Sequence, residues 1–179
     1  MTIWDFDEEK NYIKVGNYKV LNLPDAKKAA DLLNDIDRLI ARCFMSLRLL
    51  PMRTPELNIL LQTPFVLQEM QLTKDQGDIE FEGLNKPKEV EPTSEPSVGE
   101  DGKLRANYRK IFLTLRNDKG KLKTLKKLKN LIAHELTHTA MNHVRWRDDD
   151  HDEKFNYYNK LILRHFLLNR NNVSHNIAQ

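Results

Sequence analysis

Residues 134–138 read His134-Glu135-Leu136-Thr137-His138. On an α-helix each residue advances about 100°, so side chains four apart leave the same face one turn apart. Two imidazoles so placed can share one Zn2+ at about 2.0–2.1 Å each. Glu135 lies next to the first of them and can reach a zinc-bound water rather than the ion. Zinc lowers the pKa of that water to about 7, so Glu135 can serve as general base while hydroxide attacks a carbonyl. The same acid can then protonate the leaving amine.

The flanks of the motif decide whether it is more than a chance match on a surface helix. Leu125, Leu128, Leu131, Ile132, Leu136 and Ala140 recur at spacings of three and four and give a broad apolar face. No proline interrupts the stretch between Thr124 and Val144, and Thr124 is a candidate N-cap. The spacing predicts a buried helix around the motif. A catalytic zinc usually takes a third protein ligand and leaves the fourth position to water. The candidates downstream are His143, His151, His165, His175 and the acids Asp148, Asp149, Asp150, Asp152 and Glu153. On a continuing helix His143 points away from His134 and His138, so it fits only if the helix breaks first. The run Arg145-Trp146-Arg147-Asp148-Asp149-Asp150 reads as a turn that lets the chain double back. His151 then stands at the start of the next helix and is the preferred third ligand.

His134-Glu135-Leu136-Thr137-His138, a loop, and then His151-Asp152-Glu153-Lys154-Phe155 resemble the WLM and SprT-like zinc metallopeptidases. These include spartan-type proteases that act on DNA–protein crosslinks, and the strand-like segment Lys110–Arg116 is similar to forms encoded by large DNA viruses. The resemblance spans residues 108–160 and is faint over Tyr18–Leu50. It implies His134, His138 and His151 as Zn2+ ligands and Glu135 as general base. It also implies that the strand before the motif helix borders the cleft, where an extended substrate adds to a sheet edge. The acidic loop between His138 and His151 is longer than in the family pattern.

The helices and strands that must position these groups are legible to different degrees. Pro24-Asp25 opens a long helix whose stripe is Ala29, Leu32, Leu33, Ile36, Leu39, Ile40, Cys43, Phe44 and Leu47, with Pro51 ending it. Tyr12–Leu23 around Gly16-Asn17 reads as a hairpin or as a single strand after a turn. Residues 56–62 and Phe65–Met70 read as short helical turns broken by Pro64. Ile79–Glu82 and Tyr108–Arg116 alternate as strands. Asn85–Gly102, with Pro87, Pro92, Pro96, Ser94, Ser97, Gly99 and Gly102, reads as a mobile acidic, proline-rich loop. Phe155, Tyr158, Leu161, Ile162, Phe166 and Leu167 give a final amphipathic helix, and residues 170–179 a frayed tail. Asp152 suits either the helix N-terminus or the orientation of a ligand. Tyr157 and Tyr158 are candidates for an oxyanion contact, with core packing as the competing role.

The 179 residues, 40% hydrophobic and 31% charged, suit a single domain, 1–179, with one core. The expected class is α+β and zincin-like: a small twisted sheet packed against the long N-terminal helix, the motif helix and the C-terminal helix. No apolar run approaches the ~20 residues of a membrane helix. The acidic N-terminus lacks the order of a signal peptide, and Cys43 alone cannot form an internal disulfide. An intracellular protein, cytoplasmic or nuclear and not secreted, is therefore expected. The net charge of +3 hides an acidic stretch, Asp75–Asp101, and a basic one, residues 103–129. The basic stretch is either a DNA-phosphate contact or a solvated lysine face. The expected function is zinc-dependent endopeptidase action on a protein or peptide substrate, including proteins on or crosslinked to DNA. The alternatives are a non-catalytic zinc-stabilised binding module and a metal-free interaction protein.

Overall fold

The computed structural model describes residues 11–71, 73–74, 80–88, 97–98, 104–105, 108–143 and 151–177. The chain is α+β. Its elements run β1 (Tyr12–Val15), β2 (Tyr18–Leu21), α1 (Ala26–Arg48), α2 (Pro55–Gln62), β3 (Phe65–Glu69), β4 (Thr73–Lys74), β5 (Glu80–Phe81), β6 (Gly83–Lys88), β7 (Ser97–Val98), β8 (Leu104–Arg105), β9 (Tyr108–Leu113), α3 (Leu125–Ala140) and α4 (Glu153–Ile177). Five strands form one mixed sheet in the order β1-β2-β3-β9-β6. The two small pairs β4-β5 and β7-β8 stand apart from it.

The β1-β2 hairpin forms around Gly16, whose φ of +59° is open to glycine at little cost. α1 buries Ala29, Leu33, Ile36, Leu39, Ile40, Cys43, Phe44 and Leu47 of the expected stripe against β2, β3 and α4, and leaves Leu32 half-buried at its margin. α3 starts at Thr124, whose hydroxyl accepts from Lys127 N at 3.4 Å, as expected of an N-cap. It packs on α4 and α2 and lies along β6 and β9. The core is shared by all of these: Leu33, Leu47, Leu113, Leu115, Ala133, Ile162 and Phe166 are sealed from solvent.

Three expectations are corrected. Phe65–Met70 does not continue the helical turns of α2; residues 65–69 are β3, paired in parallel with β2 and β9. Leu67, Gln68 and Glu69 are buried in succession, so both faces of this strand are covered and the sequence does not alternate. Residues 85–88, read as the start of a loop, complete β6, and Ser97–Val98 pairs with Leu104–Arg105. The rest of the stretch 85–102 lies outside the described residues. α4 continues to Ile177, through most of the segment expected to fray.

One ionic cluster ties the sheet to α1. Arg116 Nε donates to Glu69 Oε1 at 2.7 Å and Arg116 Nη1 to Asp25 Oδ2 at 2.8 Å, while Glu69 Oε2 accepts from Leu21 N at 2.9 Å. Glu69 is wholly buried, so the guanidinium and the backbone N–H replace the water it loses. No helix among the described residues is long and apolar enough to cross a membrane.

Candidate metal centre

The site is built on the last two turns of α3 and on the residues that lead into α4. α3 ends in a Schellman motif. Asn142 takes the left-handed conformation at φ +54°. Asn142 N donates to Thr139 O at 2.9 Å, and His143 N reaches back to His138 O at 3.1 Å. α4 begins just past His151, where Asp152 Oδ1 accepts from Phe155 N at 2.8 Å. Asp152 therefore caps α4.

These two ends bring three imidazoles together. One ring nitrogen from each of His134, His138 and His151 lies within 4.8 Å of the others. Nε2 of His138 and Nε2 of His134 are 3.2 Å apart. Two nitrogens bound to one tetrahedral Zn2+ at about 2.0–2.1 Å would be separated by about 3.3–3.4 Å. The donor set fits a small divalent ion: three imidazoles, one buried, one half-buried and one exposed. His151 is the exposed member, so the cluster opens to solvent on its side. Burial, with His134, His143, His151 and Arg109 as neighbours, pushes the pKa of His138 down to about 2. His138 is thus held neutral, as a metal ligand must be. The structure thus brings His151, the downstream histidine preferred in the sequence, to His134 and His138 in a group that could hold a metal ion.

Phe155 is the floor of the cluster. It is 1% exposed, and its ring centroid lies 5.1, 4.9 and 4.6 Å from those of His134, His138 and His151. The helix spacing that buries Phe155 thereby also fixes the apolar wall behind the three rings.

Glu135 turns to the sheet. It is 3% exposed, and a Cβ placed on Gly83 would fall 2.6 Å from its Oε1. Asn85 clamps the same turn of α3, donating from Nδ2 to Glu135 O at 2.6 Å and to Thr139 Oγ1 at 2.7 Å. Both residues belong to β6, the edge strand beside α3. The strand expected to border the cleft, Ile111–Leu115, is instead interior: β9 lies between β3 and β6. The pairing of Thr114 N with Glu82 O at 2.8 Å sets the parity of the ladder. Leu84 and Lys86 turn their backbone groups to β9, and Gly83, Asn85 and Pro87 turn theirs outward. Pro87 has no N–H, so it costs the inner ladder nothing. No further strand pairs the outer edge of β6 among the described residues.

The remaining candidates are elsewhere. His143 sits behind His138, Nδ1 to Nδ1 at 2.9 Å, not with the three converging nitrogens. His165 is buried against Ser46 Oγ at 2.7 Å, between α4 and α1. Asp148, Asp149, Asp150 and the side chain of His175 lie outside the described residues. Glu153 is in the first turn of α4. Tyr158 hydrogen-bonds Thr54 Oγ1 at 2.8 Å and Glu56 Oε2 at 2.9 Å, and Lys154 pairs with the same Glu56. This pins α4 to α2 and occupies the hydroxyl considered for an oxyanion contact. Tyr157 is mostly exposed. Cys43 is a core thiol, pushed up to about 12 by burial.

The basic stretch is not one surface. Arg109, Arg116 and Lys129 are buried, while Lys119, Lys121, Lys126 and Lys127 are exposed. Gly83, Asn85 and Arg109 were not singled out in the sequence as site residues. Arg109 stood among eight other cations in the 25 residues before His134 with nothing to set it apart. No protein-family model, curated protein or solved structure matches the chain.

Proposed function

We propose that the chain is a zinc-dependent endopeptidase of zincin-like fold. His134, His138 and His151 hold the ion and Glu135 is the general base. The observation that carries this reading is the cluster of three imidazoles, His134, His138 and His151, on a helix whose Glu135 lies against the edge strand β6. When bound there, zinc supplies Lewis acidity toward a carbonyl and makes water acidic enough to lose a proton near neutral pH. Glu135 takes that proton and returns it to the departing amine. Gly83 and Asn85 offer outward backbone N–H and C=O groups, which can hold an extended peptide as an added strand. Pro87 ends the run of donors, so such a peptide is gripped at the Gly83 end, beside Glu135.

Proteins on or crosslinked to DNA are the proposed substrate class. The reading is supported by the resemblance to WLM and SprT-like peptidases and by the exposed Lys119, Lys121, Lys126 and Lys127. Binding through phosphates weakens steeply as salt rises. Absence of DNA binding at low salt removes this refinement and leaves a general or self-processing peptidase.

Glu135→Gln tests the chemistry. The variant keeps the shape of the side chain and is expected to bind zinc as the wild type does while losing peptide cleavage. Unchanged cleavage overturns the role of Glu135. Zinc binding without cleavage in either protein assigns the chain instead to the non-catalytic zinc-stabilised modules.

A further inference from the structure

We propose that His143 is a positioning residue for His138, accepting a hydrogen bond at Nδ1 and so fixing the tautomer that presents His138 Nε2 to the ion. The inference rests on reading His134, His138 and His151 as a metal centre. An imidazole that binds an ion through one nitrogen carries its proton on the other, and that N–H needs an acceptor to fix the ring. The usual acceptors are carboxylates, backbone carbonyls and water. Here the atom in that position is Nδ1 of His143, 2.9 Å from Nδ1 of His138. It approaches the ring on the edge away from Nε2, which faces His134. His143 is therefore not a fourth ligand, and its own proton resides on Nε2.

The acceptor is held from three sides. Its backbone N–H donates to the carbonyl of His138, the residue its side chain also meets. Its carbonyl accepts from Arg109 Nη1 at 2.6 Å. Its ring lies parallel to Phe155, at 7° and 6.1 Å between centroids. Arg109 is 1% exposed, and its acceptors among the described residues are neutral: the His143 carbonyl and, at 3.4 Å, Asn85 Oδ1. A cation at the C-terminus of α3 also meets the negative end of the helix dipole. Arg109 thereby anchors the turn that carries His143, and through Asn85 it is joined to the strand that faces Glu135.

The experiment measures zinc affinity by competition with a chromophoric chelator in wild type, His143→Phe and His143→Asn. Phenylalanine keeps the stacking on Phe155 and removes the acceptor. Asparagine places a carboxamide oxygen near the position of Nδ1. Loss of such a partner typically weakens metal binding by about 10–100-fold. The expected result is a loss of that size in His143→Phe and recovery to within about threefold in His143→Asn. Equal affinity in wild type and His143→Phe, or equal losses in both variants, overturns the proposal while leaving the metal centre intact. A wild type that binds no zinc removes the metal centre itself. Should His143→Phe fail to fold, nitrogen-15 NMR of the zinc-loaded wild type decides: the proposal requires His138 protonated at Nδ1 and His143 at Nε2, and any other assignment overturns it.

Discussion

Gly83 touches Glu135 so closely that a methyl group on it would lie 2.6 Å from Glu135 Oε1 and 2.7 Å from Leu131 Cδ1. Both obstacles are the far ends of flexible side chains, so the backbone need not move to relieve them. Gly83→Ala is expected to fold and bind zinc normally, because neither the core nor the imidazoles are disturbed. The carboxylate must shift, however, and a displacement approaching 1 Å can cost about 100-fold in rate. A large fall in kcat with an unchanged chelator midpoint is the expected pattern; wild-type kcat in Gly83→Ala would separate Glu135 from the chemistry.

Tyr158→Phe tests the opposite assignment, a structural hydroxyl beside a catalytic helix. The group lost is bonded to Thr54 and to the carboxylate of Glu56, which also pairs with Lys154. A hydrogen bond to a charged group contributes about 1.5–3 kcal/mol. Urea unfolding is expected to show a loss of that order with kcat retained to within about threefold, since an oxyanion donor would cost about 100-fold or more. Unchanged stability with a large fall in kcat would return Tyr158 to the reaction.

The elements that carried their own period were legible in the sequence. The stripe from Ala29 to Leu47 and the one from Leu125 to Ala140 mark α1 and α3 by their spacing of three and four, although α3 is one-faced only in its first half: Glu135 to Ala140 are buried one after another. β3 was not legible because Leu67, Gln68 and Glu69 are buried one after another, and a strand covered on both faces loses its alternation. β6 was hidden for the converse reason. Gly83-Leu84-Asn85-Lys86-Pro87-Lys88 has the composition of a loop, and its glycine and proline are tolerated because their backbone groups face outward from an edge. His134, Glu135 and His138 declared themselves by spacing, and His151 was preferred because the composition of Arg145–Asp150 reads as a turn. His143 required knowledge that Asn142 adopts φ +54°, which no residue pattern supplied. Arg109 required the register of β9 against β6, a long-range pairing.

Acid should destabilise the metal-free protein. His138 is pushed down to about 2, first by burial and then by neighbouring histidines and Arg109, and His165 is also lowered, first by burial and then by Arg164. In the unfolded chain both return to about 6.5. Below that pH the unfolded state binds protons that the folded state does not, so stability falls as pH drops from about 6.5 toward the folded values. It is constant with respect to these groups above both. Urea midpoints in the presence of chelator are expected to be lower at about pH 5.5 than at about pH 7.5. A midpoint that holds or rises on acidification contradicts the buried neutral state of these rings.

Zinc-edge X-ray absorption on the protein loaded with one equivalent of zinc tests the central claim most directly. The predicted spectrum has three imidazole nitrogens and one oxygen at about 2.0–2.1 Å, and His151→Ala loses one imidazole from that shell. A wild-type shell with fewer than three imidazoles, or a His151→Ala spectrum indistinguishable from wild type, would contradict it.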